Sequence, residues 1–147
     1  MARLPGSVLF ACTLNSIRSP MAAALLRQLR GGRIFVDSAG VRSAPIDPFA
    51  VAVMAEIGID LKAHLPKRFD ELDDTSFDLV ISLSPDAQHT AVELTRASAC
   101  EVEFWPSFDP TVVEGSREEI LAAYRTLRDA LWQQLRDRFP ADPTGQV

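Results

Sequence analysis

Cysteine and histidine are scarce in this chain, with two of each among 147 residues. Cys12 and Cys100 lie far apart, so a disulfide framework is not expected. No combination of Cys, His and carboxylates has zinc-ligand spacing, and neither a metal nor a cofactor is expected. Long apolar runs are also missing. None could span a bilayer, and the run that begins at Val8 breaks at Asn15, too early for the core of a signal peptide. A cytoplasmic location is therefore expected, where a reducing environment preserves a reactive thiol. Positive charge is not in excess: 15 Lys and Arg against 20 Asp and Glu give a net charge of −5. The basic residues are scattered rather than striped, so neither nucleic acid nor membrane is an expected partner. The glycine patterns of the dinucleotide and nucleotide folds, G-x-G-x-x-G and Gly-Lys-Ser/Thr, do not occur. No repeat or low-complexity segment is present.

What is there is ordinary for a soluble globular chain: 47% hydrophobic and 24% charged residues. The length suits one domain, expected over 1–140, with 141–147 as a frayed tail. Residues 7–11 read as a first strand, and Met21 to Leu29 as a helix buried against a sheet, stopped by Gly31-Gly32. A second strand is expected at Ile34-Phe35-Val36, followed by Ser38-Ala39-Gly40. Asp47-Pro48 opens the next helix as N-cap and first residue, and Gly58 closes it. A short helix near Phe69-Leu72 precedes a third strand, Phe77 to Leu83. Asp86 to Thr95 reads as a helix and Val102 to Trp105 as a fourth strand. Ser116 with Glu119 makes a capping box for the longest helix, which runs to about Phe139. The alternation of strands and helices predicts a three-layer α/β domain with a parallel sheet.

The chemistry concentrates where the first strand ends: Cys12-Thr13-Leu14-Asn15-Ser16-Ile17-Arg18-Ser19-Pro20. Strand, loop and helix in that order put a cysteine among backbone N–H groups at a helix N-terminus, a place that holds an anion and stabilises a thiolate. Residues Thr13 to Ser19 are the expected oxyanion binders. Arg18, in a Cys-x5-Arg spacing, offers a planar fork that matches two phosphate oxygens. Ser19 can donate to the sulfur, Pro20 suits a first helical turn, and Asn15 suits a left-handed bend.

Cys-Thr-Leu-Asn-Ser-Ile-Arg-Ser-Pro-Met-Ala resembles the signature loop of the low-molecular-weight protein tyrosine phosphatases and of the arsenate reductases built on the same fold. The resemblance implies a flavodoxin-like sheet of four strands in the order 2-1-3-4, with the loop at the switch point. It also extends to Asp109-Pro110, which resembles the family's general-acid motif on the loop after strand four. Cys12, Arg18 and Asp109 are then the expected catalytic residues. Cys12 would attack phosphorus, Asp109 would protonate the leaving oxygen, and a phosphocysteine would be hydrolysed. The expected partners are a phosphorylated protein, a small phosphate ester, and inorganic phosphate or another oxyanion.

The chain departs from the family at several points. Leu14 stands where glycine is common and Ile17 where a second cysteine is common. Thr111 and Val112 replace the tyrosines that often follow the Asp-Pro pair, and Val41 to Ile46 holds no aromatic. An aryl wall would have to come from Phe49, Trp105 or Phe108, of which Trp105 reads as core. Thr13, Asn15 and Ser16 lean toward the arsenate reductases. The thioredoxin-coupled ones need two more cysteines after strand three, where this chain has Ser84, and Cys100 lies in the wrong place by sequence. A phosphatase is therefore the leading expectation. The alternatives are an arsenate reductase using a small-thiol donor and a non-catalytic oxyanion-binding module.

Overall fold

The computed structural model describes residues 4–73, 76–96 and 98–140; the expected tail at 141–147 lies outside them. Four parallel strands form one sheet: β1 (Ser7–Cys12), β2 (Phe35–Gly40), β3 (Leu79–Ser82) and β4 (Glu101–Phe104), in the order β2-β1-β3-β4. The order matches the expectation, as does the element sequence, with four helices: α1 (Arg18–Arg30), α2 (Pro48–Ala55), α3 (Pro85–Thr95) and α4 (Arg117–Arg138). The expected short helix is a single turn of 3₁₀ helix at Phe69–Glu71.

Strand β1 shows why the molecule has three layers. Its side chains alternate, and every one from Val8 to Cys12 is buried. Val8, Phe10 and Cys12 join the larger core with residues of α1, α2 and α4, while Leu9 and Ala11 join a smaller one with Ala87 and Ala91 of α3. Helix α4 supplies the larger core with Leu121, Tyr124, Leu127, Leu131 and Leu135, the stripe that a helical period requires. Arg125 and Arg128 of α4 both reach Glu56 at the end of α2, each at 2.8 Å.

β2 runs four residues beyond the expected Val36. The pairing continues because Asp37, Ser38, Ala39 and Gly40 lie opposite Leu9, Phe10, Ala11 and Cys12. Their polar or small side chains carry little strand signal. They are held by the neighbouring strand, and Ser38 is buried there. The consequence is that Gly40 ends level with Cys12, at the carboxyl edge of the sheet.

Candidate active site

Between Cys12 and α1 the chain must turn sharply, and Asn15 makes the turn. Among the described residues it is the non-glycine with a left-handed backbone, φ 53°. Leu14 does not have positive φ, so the absence of the family's glycine costs no backbone strain there.

The loop's orientation is set from outside, by the segment 41–47. Val41 N–H donates to the carbonyl of Cys12 (3.1 Å), Arg42 to Thr13 (2.9 Å), Ala44 to Leu14 (3.1 Å) and Asp47 to Ser16 (3.1 Å). A trans peptide plane points its C=O and N–H in opposite directions. Four carbonyls drawn outward therefore turn the N–H groups of Thr13, Leu14, Asn15 and Ile17 inward. The Asn15 N–H lies 3.3 Å from Cys12 Sγ. Those of Thr13, Leu14, Ser16, Ile17 and Arg18 have no protein acceptor among the described residues. The result is a ring of donors around the sulfur, ready for an oxyanion.

Behind the sulfur lies a buried polar network. Asn15 is fully buried, and its amide is satisfied on every side. Its Oδ1 accepts from Lys67 N–H (2.9 Å) and stands 3.1 Å from His64 Nε2; its Nδ2 donates to Ser38 Oγ and to Ser19 Oγ, both at 2.9 Å. Since Ser19 Oγ accepts from Asn15, its own hydrogen is free for Cys12 Sγ, 2.8 Å away. Once Cys12 is a thiolate it can only accept, and the Ser19 hydroxyl is placed to donate to it. His64 Nε2 faces two acceptors, Asn15 Oδ1 and the Asn15 carbonyl at 3.2 Å, so it carries the proton. Burial, above all, holds His64 below the ordinary histidine value, and Lys67 and Arg27 act in the same direction against the Asn15 hydrogen bond.

On the open side, Arg18 is braced by two contacts. Its Nη1 donates to the Ser107 carbonyl (3.1 Å) and its Nη2 approaches Thr13 Oγ1 (3.4 Å). Thr13 in turn donates to Asp86 Oδ1 at 2.8 Å, and Ser84 Oγ donates to the same oxygen at 2.7 Å. Burial works to raise the Asp86 carboxyl, but these hydroxyls and the Ala87 N–H outweigh it and leave it below the usual carboxylate value. Asp109 caps a short turn, with Oδ1 accepting from Thr111 N–H (3.0 Å) and Thr111 Oγ1 (2.6 Å).

Cys12, Thr13, Leu14, Ser16, Ile17, Arg18, Asp109 and Thr111 line one small cleft of about 100 Å³. Of the loop residues named from the sequence, Asn15 and Ser19 stand behind the sulfur rather than on this wall. None of the three candidate aromatic walls lines the cleft. Phe49 packs on Tyr124 with ring centres 5.4 Å apart, Trp105 meets Phe10 edge-on at 6.5 Å, and Phe108 is exposed. Sequence reasoning gave no role at the site to His64 or to the tethering segment 41–47. That segment works through backbone groups, which leave no mark on residue type. Among the described residues no group of three or more His, Cys, Asp or Glu side chains could hold a metal ion.

Cys100 lies away from the cleft. Val8 pairs with Leu79 and Leu79 with Glu101, so Cys100 is level with the start of β1. Cys12 is then ~16 Å further along the strands and about 10 Å across two strand spacings, beyond the ~7 Å between Cα atoms that a disulfide spans.

The low molecular weight phosphotyrosine protein phosphatase family model matches residues 7–139. The arsenate reductase of Bacillus subtilis (strain 168) is 32% identical over 134 residues, covering 88% of this chain and 92% of the relative. Among solved structures, an arsenate reductase in the phosphate binding state superposes with a TM-score of 0.74 at 28% identity, covering 89% of this chain and 94% of that one. The YwlE arginine phosphatase from Geobacillus stearothermophilus superposes with a TM-score of 0.73 at 29% identity, covering 91% and 90%.

Proposed function

The chain belongs to the low molecular weight phosphotyrosine protein phosphatase family, and from that premise we propose that it hydrolyses phosphate monoesters through a phosphocysteine on Cys12. The observation that carries the reading is the cleft itself. A thiol, an arginine and a carboxylate line it together, and no second thiol is within reach. Reduction of arsenate(V) to arsenite takes two electrons, which two thiols supply by forming a disulfide. One cleft thiol with a carboxylate beside it suits hydrolysis instead.

In the proposed reaction the inward N–H groups of Thr13, Leu14 and Ile17, the unpaired N–H groups of Ser16 and Arg18, and the Arg18 guanidinium hold the phosphate dianion. The Cys12 thiolate, receiving the Ser19 hydroxyl, attacks phosphorus in line. The phosphorus–oxygen bond breaks and Asp109 gives the leaving oxygen its proton. Asp109, now a carboxylate, takes a proton from water, which displaces the cysteine as a thiolate and releases inorganic phosphate. Catalysis rests mainly on positioning and on donors fixed before the substrate arrives. Because no aromatic lines the cleft, compact phosphate esters are favoured over phosphotyrosine. A cytoplasmic location accords with a reaction that needs a free thiol.

The test is graded by leaving group. Asp109→Asn keeps size but cannot donate a proton. For an alkyl or unactivated phenyl phosphate the rate should fall by roughly 10²–10⁴-fold, and for a nitrophenyl phosphate much less. Parallel plots of log rate against leaving-group pKa in the two proteins would return Asp109 to the role of a turn residue.

A second reading is favoured by the name of the Bacillus subtilis relative. In it the same Cys12 attacks arsenate, and an external small thiol supplies the second sulfur. Arsenite release that depends on added small thiol, and not on thioredoxin alone, is its signature.

A further inference from the structure

Tyr124 is the largest of the fully buried side chains, and it lies on α4, outside the catalytic loop. Its hydroxyl donates to Asp47 Oδ2 at 2.9 Å. Asp47 already has two other tasks. Its Oδ1 caps α2, accepting from Phe49 N–H (2.7 Å) and Ala50 N–H (3.3 Å). Its backbone N–H holds the Ser16 carbonyl at 3.1 Å. Of the four outward tethers of the loop, this one is fastened by a side chain of another element.

We infer that Tyr124, acting through Asp47, is a positioning residue that fixes the Ser16–Ile17 peptide with the Ile17 N–H aimed at the bound oxyanion. The inference rests on the loop's being the oxyanion site, the reading given above. With Oδ1 used by the cap, the Tyr124 hydroxyl is what orients the rest of the Asp47 carboxylate. The phenol ring, packed 5.4 Å from Phe49, fixes α4 against the start of α2. The Ser16 carbonyl then has one place to go, and the trans peptide sends the Ile17 N–H the opposite way. The groups facing the Tyr124 hydroxyl keep it a donor. Burial first, then the hydrogen bond and charge of Asp47, then the charge of Asp109, push the phenol above its ordinary value.

The experiment follows backbone amide resonances of the whole chain while inorganic phosphate is added, in wild type, Tyr124→Phe, Asp47→Asn and the double variant. In wild type, phosphate should move the Thr13, Leu14 and Ile17 amides together. If it moves none of them, the reading of the loop fails and this inference falls with it. In Tyr124→Phe the Ile17 amide should lose most of its phosphate-induced shift, while the Thr13 and Leu14 amides, whose peptide carbonyls are held by Val41 and Arg42 respectively, keep theirs. Phosphate affinity should fall by about tenfold, the equivalent of one hydrogen bond to a charged group. The double variant should bind no more weakly than Asp47→Asn alone, because both changes cut one connection. A uniform weakening of all three amides, or losses that add in the double variant, would reduce Tyr124 to general core packing. If Tyr124→Phe does not fold, Asp47→Asn carries the same amide comparison, and an unchanged Ile17 response in it would overturn the inference.

Discussion

A methyl group at Gly40 would stand 2.3 Å from the carbonyl oxygen of Arg42, 2.8 Å from Asn15 N and 2.9 Å from the carbonyl carbon of Leu14. All three are backbone atoms and cannot swing aside. Gly40→Ala is therefore expected to push the loop off its tethers and abolish turnover while lowering the melting temperature, checked by an aryl phosphate assay beside thermal melts. His64 carries a different prediction. Its folded value lies below the ordinary 6.5, so in the window beneath 6.5 the unfolded chain binds more protons than the folded one. Its contribution is complete above that window and is lost as pH falls through it. Between about pH 7.5 and about pH 5.5, wild type should lose melting temperature by a component that His64→Gln, which keeps a donor near the Nε2 position, does not show. Equal slopes would remove His64 from the account. At this scale the sequence proposed Cys12 and Arg18 through their chemistry and spacing, and Asp109 through the family resemblance, and the three line one cleft. It hid His64, which approaches Asn15 only because β2 and the segment after α2 bring residues 49 apart together.

Helix α4 begins where the sequence says it should, because Ser116 and Glu119 each satisfy the other's backbone N–H. Ser116→Ala should cost ~1 kcal/mol of stability, readable by urea denaturation, with the loop chemistry untouched since the cap faces solvent. Helix α2 was equally legible from Asp47-Pro48, and the cap is present. What could not be read was that the same Asp47 ends a strap along the loop. A cap signature reports local hydrogen bonds, whereas the bond from Asp47 N–H to Ser16 O joins two segments with no shared periodicity. The extent of β2 was hidden for a related reason. Asp37 and Ser38 have low strand preference, and pairing with a fully buried β1 overrides it.

Across the whole molecule, the parallel sheet separates the two thiols: Cys12 at the carboxyl edge, Cys100 just ahead of β4 at the other. Alternating strands and helices made that architecture legible, and the order 2-1-3-4 followed from the resemblance of the loop rather than from periodicity. If the proposed hydrolysis is right, Cys100→Ser should turn over a phosphate ester as wild type does, and arsenate should not turn over with thioredoxin as the sole reductant; sustained turnover there would reverse the proposal. The central claim is that the cleft works through a phosphocysteine. Rapid alkaline quenching of Asp109→Asn with nitrophenyl phosphate, followed by peptide mass spectrometry without acid, tests it most directly, because in the proposed reaction that variant loses the base for hydrolysing the intermediate while nitrophenol leaves with little help from an acid. One phosphoryl group on the Cys12 peptide, absent from Cys12→Ser, is the predicted result. Release of nitrophenol with Cys12 unmodified at every quench time would contradict it.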